Sequence, residues 1–185
     1  MSLNHTSEFS DLTESQYAAL GKVVVEWANI EFLLGVLLGR LLVTPDFHAI
    51  TFVNSISAAK IQSAIDEALE IQQKRYKCKI IEKEIVDDLT KINKEIIALR
   101  ASRNKVAHFC WCRSDDDLIW GTRFGSGIPS PQKEKKNSNY FSVSELKALH
   151  QSTYKLVDDL EKIIQKLPKF EESNLLAALA IKFEA

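Results

Sequence analysis

Apolar residues recur every three or four positions over most of this chain, and a single stretch breaks that period. Val23, Trp27, Ile30, Leu34, Leu37 and Leu41 form the first stripe, which predicts a helix from Glu14 to Leu42. Thr13 and Gln16 have the spacing of an N-terminal capping pair. Gly35 and Gly39 lie four apart on another side, where they permit a close helix crossing. Thr44-Pro45-Asp46 ends the element. Ile50, Val53, Ile56 or Ser57, Ile61, Ile65 and Leu69 predict a second helix over 46–72, with Gln72-Gln73-Lys74-Arg75 as a break or a continuation. Ile81, Ile85, Leu89, Ile92, Ile96 and Leu99 mark the buried side of a third helix that runs to Phe109.

After His108 the period shortens. Residues 109–112 and 118–124 read as short strands around Ser114-Asp115-Asp116-Asp117, a turn that lacks the pattern of a calcium loop. Residues 125–139 are rich in Gly, Pro, Ser and Lys and predict a mobile loop. Ser142-Val143-Ser144-Glu145 is a capping box. It opens a fourth helix whose stripe runs from Leu146 to Leu167, with Pro168 as its stop. Ser173 to Ala180 is a candidate short C-terminal helix. The expected fold is therefore all-α: an up-down bundle of four long helices, with a small β-hairpin insertion after the third. It is expected to form a single domain over 1–185, with the bundle core at 14–167, the hairpin and loop at 109–141 and an appendage at 168–185.

Composition narrows the function classes only a little. Hydrophobic residues make up 45% and charged residues 26% of 185 residues, which suits a folded protein with a substantial core. A net charge of -1 shows no global field for nucleic acid, so any such binding has to be local. The start shows no basic region followed by an apolar run, and the longest apolar stretch, 32–43, is too short to cross a membrane. Cytoplasm, with no membrane partner, is the expectation. Cys78, Cys110 and Cys112 are expected to be free thiols. Cys110 and Cys112 would share one face of a strand, but two thiols make at most half of a zinc site. Trp111 and Trp120 are expected to pack in the hairpin, and base stacking lacks support from sequence. Histidines 5, 48 and 150 stand isolated in the sequence. There is no Gly-rich phosphate loop, nucleophile elbow or dinucleotide fingerprint, and no metal or cofactor is expected.

The candidate chemistry lies in Arg103-Asn104-Lys105-Val106-Ala107-His108, at the end of the third helix. A permanent cation, an amide and an imidazole meet there. His108 can exchange protons near neutral pH, and the helix dipole at a C-terminus favours its charged form. Arg103 can bind a phosphoryl group that gains negative charge in a transition state. RNA carries a neighbouring 2′-hydroxyl that can attack its own phosphate without a metal, whereas DNA lacks this nucleophile. Five helical positions leave the Arg103 and His108 side chains about 140° apart and roughly 7.5 Å along the axis. Arg103 continues an apolar stripe, so it needs a partner: Glu31, a phosphate or a wet interface between subunits. Arg100 lies one turn earlier and would widen a phosphate-binding cleft or sit in solvent, and Lys105 is expected to be exposed. By spacing alone, the same residues are equally an ordinary polar cluster that caps a helix.

This six-residue run resembles the Arg-polar-x3-His motif of the HEPN superfamily, whose members are small all-helical proteins. Trp27-Ala28-Asn29-Ile30-Glu31 resembles a Trp-x-x-x-Glu pattern of some relatives, and the resemblance extends over about residues 15–167. It implies a metal-independent endoribonuclease of a toxin–antitoxin or defence system that yields 2′,3′-cyclic phosphate and 5′-hydroxyl ends. Arg103 would bind phosphate, His108 transfer protons and Asn104 support them, with Glu31 and Arg100 in supporting positions. It implies a homodimer in which both subunits line one cleft, and a cognate antitoxin or regulatory protein as a further partner. The superfamily also holds inactive members, so a helical module that binds a protein or a nucleotide is the alternative.

Overall fold

The first turn of α1 (Glu14–Leu41) is fixed by the reciprocal cap foreseen from Thr13 and Gln16. The Thr13 amide donates to Gln16 Oε1 at 2.9 Å, and the Gln16 amide donates to Thr13 Oγ1 at 3.2 Å. A computed structural model describes residues 10–123 and 138–170, together with Ser173 and Ala177. Phe124, the loop at 125–137 with Lys133, Lys135 and Lys136, and all but Ser173 and Ala177 of the expected C-terminal helix lie outside the described residues.

The chain is mostly helical with a small antiparallel sheet. After α1 come α2 (Asp46–Val53), α3 (Ala58–Lys74) and α4 (Lys83–His108). Next are β1 (Cys110–Arg113), β2 (Leu118–Thr122), β3 (Ser138–Ser142) and α5 (Val143–Ile164). Three expectations are corrected. The second helix is broken into α2 and α3. Ser55 and Ile56 turn back on Phe52 and Val53 through i–3 backbone bonds, and Ser57 is extended at φ -72°, ψ 150° before α3 starts. The third helix starts only at Lys83, because Lys77 and Cys78 adopt left-handed φ of 51° and 55°. The hairpin is a three-stranded sheet: β3 pairs antiparallel with β2 and occupies Ser138 and Asn139, residues expected in the loop. No apolar periodicity announces so short a strand as Ser138–Ser142.

The chain divides into two compact units, Met1–Ala28 with Ile96–Lys155, and Asn29–Glu95 with Leu156–Ala185. In the second unit, α1 ends at Val43 in the left-handed region (φ 53°), while the Thr44 amide donates back to the Gly39 carbonyl at 2.9 Å. This is the helix-ending pattern that glycine normally supplies. Gly35 and Gly39 of α1 admit α2 closely, since a Cβ on Gly39 would stand 2.4 Å from the Ala49 Cβ. Buried amides tie α3 to α4. Gln62 Nε2 donates to Asn93 Oδ1, and Asn93 Nδ2 donates to the Gln62 carbonyl and to Asp66.

The first unit has its own core, built from Val23, Val106, Trp111, Ile119, Leu146 and their neighbours. The foreseen box at the start of α5 is present. The Ser142 amide donates to Glu145 Oε2 at 2.7 Å and the Glu145 amide to Ser142 Oγ at 3.1 Å. The Ser142 amide, and after it the Ser142 hydroxyl at 2.9 Å, donate to the Glu145 carboxylate and hold it below its ordinary range. Asp115 forms the expected turn by accepting bonds from the Asp117 and Leu118 amides. Gln16 Nε2 reaches the Asp115 carbonyl at 2.8 Å, anchoring the start of α1 to that turn.

On the sheet face turned to this core, Trp111 lies across Gly121, its partner in register. A Cβ on Gly121 would stand 2.4 Å from Trp111 Cε3. Gly121→Ala therefore has to displace the indole and is expected to cost about 1–3 kcal/mol. Equilibrium urea unfolding reads this cost, and an unchanged midpoint would mean that the indole has room to move.

Candidate functional site

The last two turns of α4 present the Arg103–His108 run to three different environments. Arg103 is half-buried. Its guanidinium Cζ stands 5.5 Å from the centroid of the Trp27 ring on α1, close enough for a cation–π attraction. Trp27 itself is 1% exposed. Arg103 Nη1 also donates to Asn104 Oδ1 at 3.2 Å. The cost of carrying this charge on an apolar stripe is thus offset by a ring face and an amide. Asn104 is exposed, and its side chain orients the guanidinium.

Lys105 corrects the expectation of an exposed side chain. It is half-buried, and its Nζ donates to Asn139 Oδ1 on β3 at 2.9 Å. Val106 is buried, and its carbonyl accepts the Trp111 indole N–H at 3.0 Å. A carbonyl in the last turn of a helix lacks an intrahelical partner, and here the indole provides one. His108 is the final helical residue and is exposed. The sequence run therefore seats Arg103 over Trp27 with Asn104 bonded to it, and holds His108 on another sector of the helix, about 140° away.

Arg100 is half-buried, and its Nε is buried without a hydrogen-bond partner among the described residues. Glu31 is half-buried in the second unit, where it lines an open pocket of about 420 Å³ with Phe32, Ile50, Val53 and Ile61. Cys110 and Cys112 share the sheet face away from Trp111, neither in a disulfide, the first exposed and the second half-buried. No group of three metal-ligating side chains occurs among the described residues.

Two features escape a reading of the sequence. Trp27 acts as the seat of Arg103, although only its place in an apolar stripe and in the Trp-x-x-x-Glu pattern marked it. His150, isolated in sequence, lies with Nε2 3.8 Å from Glu26 Oε1 and its ring 6.4 Å from that of Tyr154. Glu26 and His150 are too far apart along the chain for any local pattern to join them.

No protein-family model, curated protein or solved structure matches the chain significantly. The site therefore has to be judged on its own chemistry.

If the ring holds the guanidinium, Trp27 and Arg103 are energetically coupled. A double-mutant cycle with Trp27→Leu and Arg103→Gln is expected to give a coupling of about 0.5–2 kcal/mol in chemical denaturation. Additive single effects would show that the two side chains are merely adjacent.

Proposed function

We propose that this protein is a metal-independent endoribonuclease of the HEPN type, built on an up-down helical bundle and acting in the cytoplasm as a homodimer. The observation that carries the reading is the state of Arg103. A permanent cation on an apolar stripe is seated on Trp27 and oriented by Asn104, one turn and a half before an exposed imidazole at the helix end. In this reading Arg103 is a pre-oriented phosphate ligand and His108, on another sector of the same helix end, a proton carrier.

In the proposed reaction the 2′-oxygen of RNA attacks the adjacent phosphorus while His108 takes the hydroxyl proton. The P–O5′ bond breaks, and the departing 5′-oxygen takes a proton from a second, protonated imidazole. Arg103 neutralises the charge on the non-bridging oxygens of the phosphorane. The products are a 2′,3′-cyclic phosphate and a 5′-hydroxyl. Two imidazoles suit two subunits, and the angular gap between Arg103 and His108 supports a cleft lined by both copies. A toxin or defence role, masked by a cognate antitoxin, fits an activity of this kind.

A second reading has its own support. Phe32, Phe47 and Phe52 of the second unit are 58%, 75% and 63% exposed, and large exposed apolar side chains are suited to contact with a partner. A catalytically inactive module that binds a protein or a nucleotide would use such a surface.

The readings part in an assay of purified protein on labelled RNA in excess EDTA. Cleavage is expected to persist there. His108→Ala is expected to lower it by about 10²–10⁴-fold, and Arg103→Ala to lower it strongly as well, with both variants folded and of wild-type oligomeric state. Absence of cleavage by the wild type on total RNA, tRNA and mRNA, or cleavage unaffected by both substitutions, would favour the binding module.

A further inference from the structure

The two faces of β1 meet different surroundings. Trp111 faces the core and is 8% exposed, stacked against Phe109 and tilted against Phe141 at centroid distances of 5.8 and 5.6 Å. Neighbouring residues of a strand point to opposite sides, so Cys110 and Cys112 both stand on the outer face. Trp120 stands there too, because Ile119 and Gly121 beside it are buried. In register, Cys110 pairs with Thr122 and Cys112 with Trp120, and β3 adds Ser138 and Tyr140 to the two rows. Cys110 is exposed, and the rest of its row is small.

The spacing of the two thiols decides what they can do together. Residues two apart on a strand are about 6.8 Å apart, and their Cβ atoms, on one face, are separated by a similar distance. A disulfide asks for Cβ atoms about 3.5–4.5 Å apart, so the two sulfurs cannot bond to each other while β1 keeps its ladder with β2. A metal bridge is longer. With about 2.3 Å for each metal–thiolate bond, a linear S–M–S unit spans roughly 4.6 Å, which the sulfurs reach by leaning about 1 Å toward each other.

The surroundings select the ion. The strands β1, β2 and β3 contain no Asp, Glu or His, and no group of three metal-ligating side chains occurs among the described residues. Zinc takes four ligands, and calcium and magnesium take oxygen atoms, largely from carboxylates and water. A soft d10 cation such as Cu(I) needs only two thiolates in line, and thiolates are the donors that select it.

We infer that Cys110 and Cys112 form a two-thiolate site for a soft, two-coordinate monovalent cation of the Cu(I) class. On binding, both thiols release their protons to solvent and both sulfurs bond to the ion, which keeps its oxidation state. Cys78 lies in the other compact unit and has no part in the pair. The inference stands apart from the ribonuclease reading, whose chemistry uses no metal.

The test is anaerobic titration of the Cu(I)–bicinchoninate complex with the reduced protein, read from the fading colour of the complex. The wild type is expected to withdraw one Cu(I) per chain without a change of oligomeric state in size-exclusion chromatography. Cys110→Ser and Cys112→Ser are each expected to lower the affinity more than about 100-fold, beyond what loss of a merely supporting contact costs. Cys78→Ser is expected to leave it unchanged. Zn²⁺ offered on the chelator pyridylazoresorcinol is expected to stay with the chelator. Cys110 is exposed, so its substitution leaves the core intact, and circular dichroism verifies the fold of each variant. No withdrawal of copper by the wild type, wild-type affinity in Cys110→Ser or Cys112→Ser, loss of binding in Cys78→Ser, one ion shared between two chains, or capture of Zn²⁺ from the chelator overturns the site.

Discussion

The contact between the Trp111 indole, Gly121 and the Val106 carbonyl governs how the candidate site is built. Val106 lies in the last turn of α4, and Trp111 is the second residue of β1. The indole N–H closes the helix end at 3.0 Å while its ring covers the one β2 position that has no side chain. One side chain therefore fixes where α4 stops, how β1 leaves it and which face of the sheet meets the core. His108 lies between these anchors and is exposed.

The other half of the site depends on a different force. Arg103 keeps its charge at a half-buried position because the face of Trp27 attracts a cation and Asn104 accepts one of its protons. In the proposed ribonuclease reading, such a guanidinium is directed before a phosphate arrives, which lowers the ordering cost of binding it. Lys105 adds a strut from α4 to Asn139 of β3. The run Arg103–His108 is consequently a mixed segment. One residue seats a charge, one orients it, one braces the sheet, one fills the core and the last is presented to solvent.

Much of the fold was legible because it follows from local periodicity and capping chemistry. The Thr13–Gln16 and Ser142–Glu145 caps, the end of α1 and the turn at Asp115 obey short-range rules, and each is present. The break between α2 and α3 was hidden because Asn54 to Ser57 contain neither Gly nor Pro, and the apolar spacing continues on both sides. β3 was hidden because Ser-Asn-Tyr-Phe-Ser carries no alternation strong enough to announce a strand, and its pairing with β2 spans the stretch 123–137. The site was legible as a motif but not as an arrangement. The family resemblance singled out Arg103, Asn104 and His108 as candidates, whereas the seat on Trp27, the Lys105–Asn139 bond and the Glu26–His150 pair all come from residues brought together by tertiary packing. The two tryptophans of the sheet looked alike in sequence, and register alone sets them on opposite faces.

The central claim, that the site turns the substrate's own 2′-hydroxyl into the nucleophile, is tested most directly by the products of a defined strand. The protein would be incubated in EDTA with an oligonucleotide of natural ribonucleotides, and with a copy in which each cleaved position carries a 2′-O-methyl group, and the fragments weighed by mass spectrometry. The account predicts fragments ending in 2′,3′-cyclic phosphate and beginning with 5′-hydroxyl, and no cutting at blocked positions. Cutting at the methylated positions, or fragments with 5′-phosphate ends, would contradict it.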